Sequence, residues 1–202
     1  MGTTQSSIHN KPRLILASTS PHKTALLKRL RLAFDSFDPG IDESTQPGES
    51  PEQLVVRLAQ AKAKAQIETY PRALIVGSDQ IALVGGEIMG KPGTPEKARE
   101  QLRKASGQHV EFLAGLCLLN SALDRVQVDC VRYSIHFRAL TDEQIDRYLA
   151  LEQPYDCAGS IKSERLGVAL FTKMAGDDPT VLLGLPLIRL VTMLANEGIY
   201  VP

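Results

Sequence analysis

The sequence predicts an α/β fold, one compact unit with two lobes around a cleft, and three observations carry that reading. Leu14, Ile15, Leu16 and Ala17 form an apolar run too short for a helix, which suits a buried strand. The pairs Ser20-Pro21, Ser50-Pro51 and Thr94-Pro95 each open a helical pattern. Ser and Thr are favoured N-caps, and Pro suits the first helical position because its missing N–H is not needed there. Segments 109–120 and 126–138 are long and rich in Val, Leu, Ile and Phe, and a turn near 122–124 parts them, so they read as two long antiparallel strands.

The elements follow in order. Residues 1–11 are polar and lack the apolar core of a secretory signal, so 1–12 is expected to be a flexible tail and 13–202 a single domain. The strand at 14–17 runs into the hydroxyl-rich turn Ser18-Thr19-Ser20 and then into a helix over 21–32, with Leu26, Leu27 and Leu30 on its apolar face. Free N–H groups and hydroxyls at a helix N-terminus make an anion site, and Lys23 adds a positive charge one turn in. A short strand at 34–37 precedes a turn ending in Asp42 and Glu43. The helix over 51–69 starts with a capping-box pattern, Ser50 to Gln53, and carries Leu54, Leu58, Ala61 and Ala65 on one face. Lys62 borders that stripe, so it either snorkels or points into a cleft.

A second buried strand, 73–77, is read as ending at Ser78-Asp79-Gln80, which puts a carboxylate just past a strand end, where α/β enzymes often keep catalytic groups. Segments 81–84 and 87–89 form a hairpin about Gly85-Gly86. Gly85 to Lys91 matches the front of a P-loop, but Pro92 stands where a Ser or Thr must follow and disfavours a helix through Lys91, so the P-loop reading is rejected. A helix at 95–105, another opened by Thr141 and running to about 151, a strand near 168–173, and a last helix at 186–196 complete the chain.

Composition excludes several classes. The 202 residues are 43% hydrophobic and 23% charged, with 23 basic against 23 acidic side chains. A zero net charge argues against nucleic-acid binding by bulk charge but leaves room for a local phosphate pocket. No apolar run is long enough to span a bilayer. Cys117, Cys130 and Cys157 are odd in number and widely spaced, which points to a reducing, cytoplasmic setting. No Ser-His-Asp arrangement, His-x-x-x-His or Cys/His cluster suggests a nucleophile or a zinc site. What remains is Glu43, Asp79, Lys62, Lys91 and Lys23 with Ser18 and Ser20. That set suits phosphate chemistry: carboxylates for magnesium or manganese, lysines for triphosphate charge, and Asp79 for an attacking water.

Eight motifs then occur in order: Ala17-Ser18-Thr19-Ser20-Pro21, Ile41-Asp42-Glu43, Arg57 to Ala63, Gly77-Ser78-Asp79-Gln80, Gly90-Lys91-Pro92, Ala105-Ser106-Gly107, Cys157-Ala158-Gly159-Ser160 and Gly184-Leu185-Pro186-Leu187. Together, from about 13 to 198, they resemble the Maf family of nucleotide pyrophosphatases. The resemblance implies an extended mixed sheet flanked by helices, similar to inosine triphosphate pyrophosphatases. It implies divalent-metal-dependent hydrolysis between the α and β phosphates of a nucleoside triphosphate, and a homodimer as the expected assembly. It implies Asp79 as proton acceptor, Glu43 and Asp79 as metal ligands, Lys62 and Lys91 on the triphosphate, and Ser18, Ser20 and Lys23 in the phosphate loop. Asp79-Gln80 and Ala158-Gly159-Ser160-Ile161-Lys162-Ser163-Glu164 resemble the 7-methyl-GTP pyrophosphatase subgroup, with His22, Gln80 and Glu164 tuning base choice. A 7-methylguanine base is cationic with an all-donor N1–H and N2–H₂ edge, which a Glu164 carboxylate suits. The alternatives are a dTTP/UTP or broad nucleotide pyrophosphatase, and a nucleotide-binding regulator of septum formation. The chain departs from the family's pattern at His22 and Lys23, where Arg is usual at one or both, and at Arg165, where Gly is common.

Overall fold

The structure, a computed structural model, describes residues 12–202. The expected N-terminal tail therefore lies, up to residue 11, outside the described residues. Seven strands and five α-helices follow in the order β1 (Arg13–Ala17), α1 (Pro21–Lys28), β2 (Phe34–Phe37), α2 (Pro51–Lys64), β3 (Ala73–Val84), β4 (Glu87–Met89), α3 (Pro95–Ala105), β5 (His109–Asn120), β6 (Arg125–Phe137), α4 (Asp142–Glu152), β7 (Phe171–Ala175) and α5 (Leu187–Asn196). The strands form one mixed sheet of order β2-β1-β3-β5-β6-β7, with β4 also on β3. β1 runs parallel to β2 and β3, and the pairs β3–β4, β3–β5, β5–β6 and β6–β7 are antiparallel.

Period-two alternation sorts the core. Leu14, Leu16, Leu74 and Val76 face Leu26 and Leu27 of α1 and Leu190, Met193 and Leu194 of α5. Ile15, Ala17, Ala73 and Ile75 face the other way, onto Ala59 and Ala63 of α2. Further along the same strands, Ala82, Val84, Val110 and Phe112 pack with α3 and α4 in a second lobe. α2 lies directly on the sheet at Gly77 and Gly115. A Cβ at those positions would sit 2.1 Å from the Ala59 carbonyl oxygen and 2.0 Å from that of Val55.

Four expected boundaries move. α1 ends at Lys28 rather than 32, because the chain turns through Arg31, whose φ of 55° lies in the left-handed region. α2 ends at Lys64, followed by turns through residue 69. β3 does not stop before Asp79: its ladder to β5 runs unbroken from Leu74↔Asn120 to Val84↔Val110. The strand expected at 168–173 is 3₁₀ over Leu166–Leu170 and becomes β7 only at Phe171, where pairing with β6 begins beside an irregularity at His136/Phe137.

The registers of β3 explain where the cleft opens. On one edge β1 pairs as far as Leu16↔Val76, and β4 begins only at Ala82↔Met89. Residues 77–81 are thus paired to β5 on one side and carry no strand on the other. This notch, between the two lobes, is the floor of the site.

Candidate active site

A cleft of about 680 Å³ opens at the notch, lined by Ser18, Ser20, Lys23, Glu43, Lys62, Asp79 and other residues that both lobes supply. Every residue singled out from the sequence for chemistry lines it, including His22, Gln80, Lys91 and Glu164.

β3 alternation divides the roles. Asp79 lies on the face covered by α2, where Lys62 comes down onto it. Lys62 Nζ donates to Asp79 Oδ1 at 2.6 Å and pairs with Glu43 Oε1 at 2.7 Å. The side chains of Lys62 and Asp79 are 8% and 12% exposed, while that of Glu43 is 58% exposed at the mouth. Burial alone pulls the Lys62 ammonium toward neutrality, but Asp79 and Glu43 outweigh it and its pKa is raised. The side chain is therefore aimed into the cleft and is not snorkelling. Asp79 is central in a strand and not beyond its end, and the free edge of β3 at 77–81 leaves it reachable.

Glu43 comes from the long segment between β2 and α2. Arg57, on the first half of α2, ties that segment down: it donates to Glu49 through Nε at 2.5 Å and Nη2 at 2.8 Å, and to the Ser44 carbonyl at 2.9 Å. Ser50 caps α2 in the capping box expected from sequence, its hydroxyl accepting from Gln53 N.

The opposite wall is the β1–α1 turn. Ser18 Oγ accepts from Ser20 N at 3.1 Å, and Ser20 caps α1 by accepting from Lys23 N. Lys23 reaches over β3, and its Nζ donates to the Ser78 carbonyl at 2.5 Å. Burial, and next the charge of Lys62, lower its pKa to about 8. Lys91, the remaining cation of the cleft, is exposed. Ser78, on the other face from Asp79, donates to the Gly115 and Gly184 carbonyls. Gln80 Nε2 donates to the Val181 carbonyl at 2.7 Å, which fixes the orientation of its amide.

Glu164, which also lines the cleft, is exposed, and among the described residues its carboxylate has no ion-pair partner within 4.0 Å. Its basic neighbours are turned away. Lys162 Nζ donates to the Glu152 carbonyl at 2.6 Å, and Arg165 pairs with the Glu152 carboxylate at 3.2 Å. Glu152 thereby takes up the Arg165 departure, which leaves Glu164 free of both basic neighbours among the described residues.

Asp79 and Glu43 each spend one carboxylate oxygen on Lys62 and keep the other free of protein partners among the described residues. Two hard oxygen donors in a cleft that also carries Lys23, Lys62 and Lys91 fit magnesium or manganese, which take one or two carboxylates and complete their shell from substrate phosphates and water.

Sequence spacing missed Asp156 and Cys157. They meet His22 at the rim, with His22 Nε2 3.4 Å from Asp156 Oδ2 and Cys157 Sγ 3.4 Å from Asp156 Oδ1. His22 is 134 residues away in the chain, so no local motif signals the group. Cys117, by contrast, is core as expected, its thiol pushed up to about 12 by burial.

Residues 13–197 match the model of a family described as "Maf-like protein". A relative named 7-methyl-GTP pyrophosphatase from Pseudomonas aeruginosa is 56% identical over 191 residues, which is 95% of this chain and 100% of that protein. One of the same name from Methylobacillus flagellatus is 52% identical, covering 93% of this chain and 98% of that protein. Among solved structures, the Staphylococcus aureus Ham1 protein shares the fold, with a TM-score of 0.54 at 14% identity over 92% of this chain and 99% of that one.

Proposed function

The chain belongs to the Maf-like family, and from that premise we propose that it is a divalent-metal-dependent pyrophosphatase that hydrolyses 7-methyl-GTP to 7-methyl-GMP and diphosphate, removing a modified nucleotide from the cytoplasmic pool. The observation that carries the reading is the buried Lys62 clamping Asp79 and Glu43 at the floor of a cleft that Glu164 also lines, with its carboxylate unpaired among the described residues. The names and full-length similarity of the relatives support the same activity.

In this reading the triphosphate lies between the β1–α1 turn and Lys62. Ser18, Ser20 and the His22 N–H, which the cap leaves free, bind phosphate oxygens, and Lys23 and Lys91 offset the charge that gathers on the leaving diphosphate. The free oxygen of Asp79 takes a proton from a water as that water's oxygen bonds to the α-phosphorus. The bond from the α-phosphorus to the α–β bridging oxygen breaks, and diphosphate departs with the electron pair. Lys62 fixes one oxygen of Asp79 and so orients the other toward the water. Glu43, and Asp79 through the water it activates, would hold the divalent ion, whose chemistry is to polarise the phosphoryl group and lower the pKa of bound water. At the base end, Glu164 accepts from the donor edge of 7-methylguanine and offsets its positive charge. Gln80 and His22 flank the same end.

The test is pyrophosphate release from a panel of 7-methyl-GTP, GTP, dTTP and UTP with magnesium or manganese. We expect 7-methyl-GTP to lead by kcat/KM, and Glu164→Gln to weaken it selectively. A lead for dTTP or UTP overturns the substrate assignment. An Asp79→Asn variant should lose about 10²–10⁴-fold in kcat, the usual worth of a positioned general base. Unchanged turnover there removes Asp79 from the mechanism.

A further inference from the structure

At the rim of the cleft, three side chains of metal-ligating type converge from two elements. His22 comes from the first turn of α1, and Asp156 and Cys157 come from the segment after α4. One donor atom from each lies within 4.8 Å of the other two. Asp156 bridges the pair: one carboxylate oxygen is 3.4 Å from His22 Nε2 and the other 3.4 Å from Cys157 Sγ. Among the described residues, the imidazole and the thiol have no other side-chain hydrogen-bond partner.

These separations carry chemical information. A tetrahedral ion with bonds of about 2.0 Å to N and O and about 2.3 Å to S holds its ligand atoms roughly 3.3–3.5 Å apart. The imidazole and the thiol each stand at that distance from Asp156, on opposite oxygens of its carboxylate, and one donor atom from each residue lies within 4.8 Å of the other two, so a rotation of the carboxylate and a closure of about an ångström bring all three onto one ion. The donor set is imidazole, carboxylate and thiol, the mixture that a borderline-soft ion selects, whereas Glu43 and Asp79 offer only hard oxygens. Charge also balances: one dication with a thiolate, a carboxylate and a neutral imidazole is neutral. The site is reachable, since the His22 and Asp156 side chains are 36% and 62% exposed. Three protein ligands leave a fourth position for water.

We propose that His22, Asp156 and Cys157 form a zinc site on the cleft rim, separate from the carboxylate pair that would hold the divalent ion for hydrolysis. Binding there needs no catalysis, so its test stands apart from that of the proposed reaction.

The full chain is titrated calorimetrically with zinc in excess magnesium, and then with cobalt(II) as a spectroscopic stand-in. We expect one zinc per chain, binding at least tenfold weaker in Cys157→Ser and in Asp156→Asn. We also expect a thiolate-to-cobalt charge-transfer band in the near ultraviolet that Cys130→Ser keeps and Cys157→Ser loses. Equal zinc affinity in the wild type and Cys157→Ser overturns the site, as does a cobalt band that survives that substitution or no band at all. Zinc binding lost in Asp79→Asn but kept in Cys157→Ser also overturns it, because the ion then sits on the acidic pair. Should Cys157→Ser fail to fold, as read by its thermal melt, Asp156→Asn together with the band in Cys130→Ser decides the matter.

Discussion

Lys23 and Lys62 stand on either side of the same strand, and their surroundings push them in opposite directions. Lys62 is flanked by two carboxylates that keep it charged against burial. Lys23 touches a carbonyl and feels Lys62 across β3, so its pKa falls to about 8. A lysine with a lowered pKa carries its charge below that value and loses it as pH rises through it. If Lys23 binds phosphate, KM should be flat below about pH 8 and climb above it. In Lys23→Arg the guanidinium stays charged throughout, so that climb should vanish, and the bidentate fork should lower KM. Initial rates of pyrophosphate release across pH, analysed for KM and kcat separately, check this. Superimposable KM profiles for the two proteins would remove Lys23 from the triphosphate. At this scale the sequence was informative where a residue's role follows from its neighbours in the chain. Ser20, Ser50, Thr94 and Thr141 all cap the helices they were expected to cap. It marked Cys157 only as part of a motif and was silent on Asp156 and on the meeting of both with His22, which lies 134 residues before Asp156 in the chain.

Among the elements, α2 bears most directly on the site, because it both covers β3 and carries Lys62. Its close approach depends on two glycines of the sheet. In Gly77→Ala the new Cβ would lie 2.1 Å from the Ala59 carbonyl oxygen and 2.8 Å from Ala63 N. Both contacts are backbone atoms of the helix, which cannot swing aside as the end of a side chain can, so α2 must lift. Overpacking of this kind commonly destabilises by about 1–3 kcal/mol. The lift also moves Lys62 off Asp79, so kcat should fall together with Tm. Gly90→Ala is the control, since a Cβ there meets nothing within 4 Å, and its Tm should hold. Equal melting shifts in the two variants would show that the packing of α2 on β3 is looser than the geometry states. The same strand shows why one boundary was not legible. Gly77-Ser78-Asp79-Gln80 is a polar break that reads locally as a loop, yet β5 supplies a partner for each of those residues, from Gly77↔Cys117 to Gln80↔Ala114. A ladder formed with residues 34 to 40 positions away overrides the local pattern. The 3₁₀ turn at Leu166–Leu170 is the converse: an apolar run with strand character that finds no ladder partner until Phe171.

Across the whole molecule, the cleft lies between two lobes that share their strands. β3, β5 and β6 are 12, 12 and 13 residues long, and each runs through both. Leu74 and Val76 belong to the core beneath α1 and α5, while Ala82 and Val84 of the same strand belong to the core beneath α3 and α4. This is why the lobes could be anticipated from sequence while the notch between them could not. The apolar runs mark the strands, but only the registers show that β1 stops pairing opposite Val76 and β4 takes over opposite Ala82. Shared strands also bear on stability. Unfolding one lobe alone would require β3, β5 and β6 to break in mid-strand, leaving buried N–H and C=O groups of the surviving halves without partners, at about 1–3 kcal/mol for each group. Several such groups would be exposed at once, so partial opening should lie close to global unfolding in free energy. Native-state hydrogen exchange read at single amides tests this. The slowest amides around Leu74–Val76 and those around Phe112–Ala114 should exchange through the same opening, with one free energy and one denaturant dependence. If the parallel lobe instead opens at markedly lower free energy while protection around Phe112 is unchanged, the lobes are separate folding units. The two walls of the cleft would then be free to move relative to each other, and Lys23 would not be held against Ser78 in the unliganded protein.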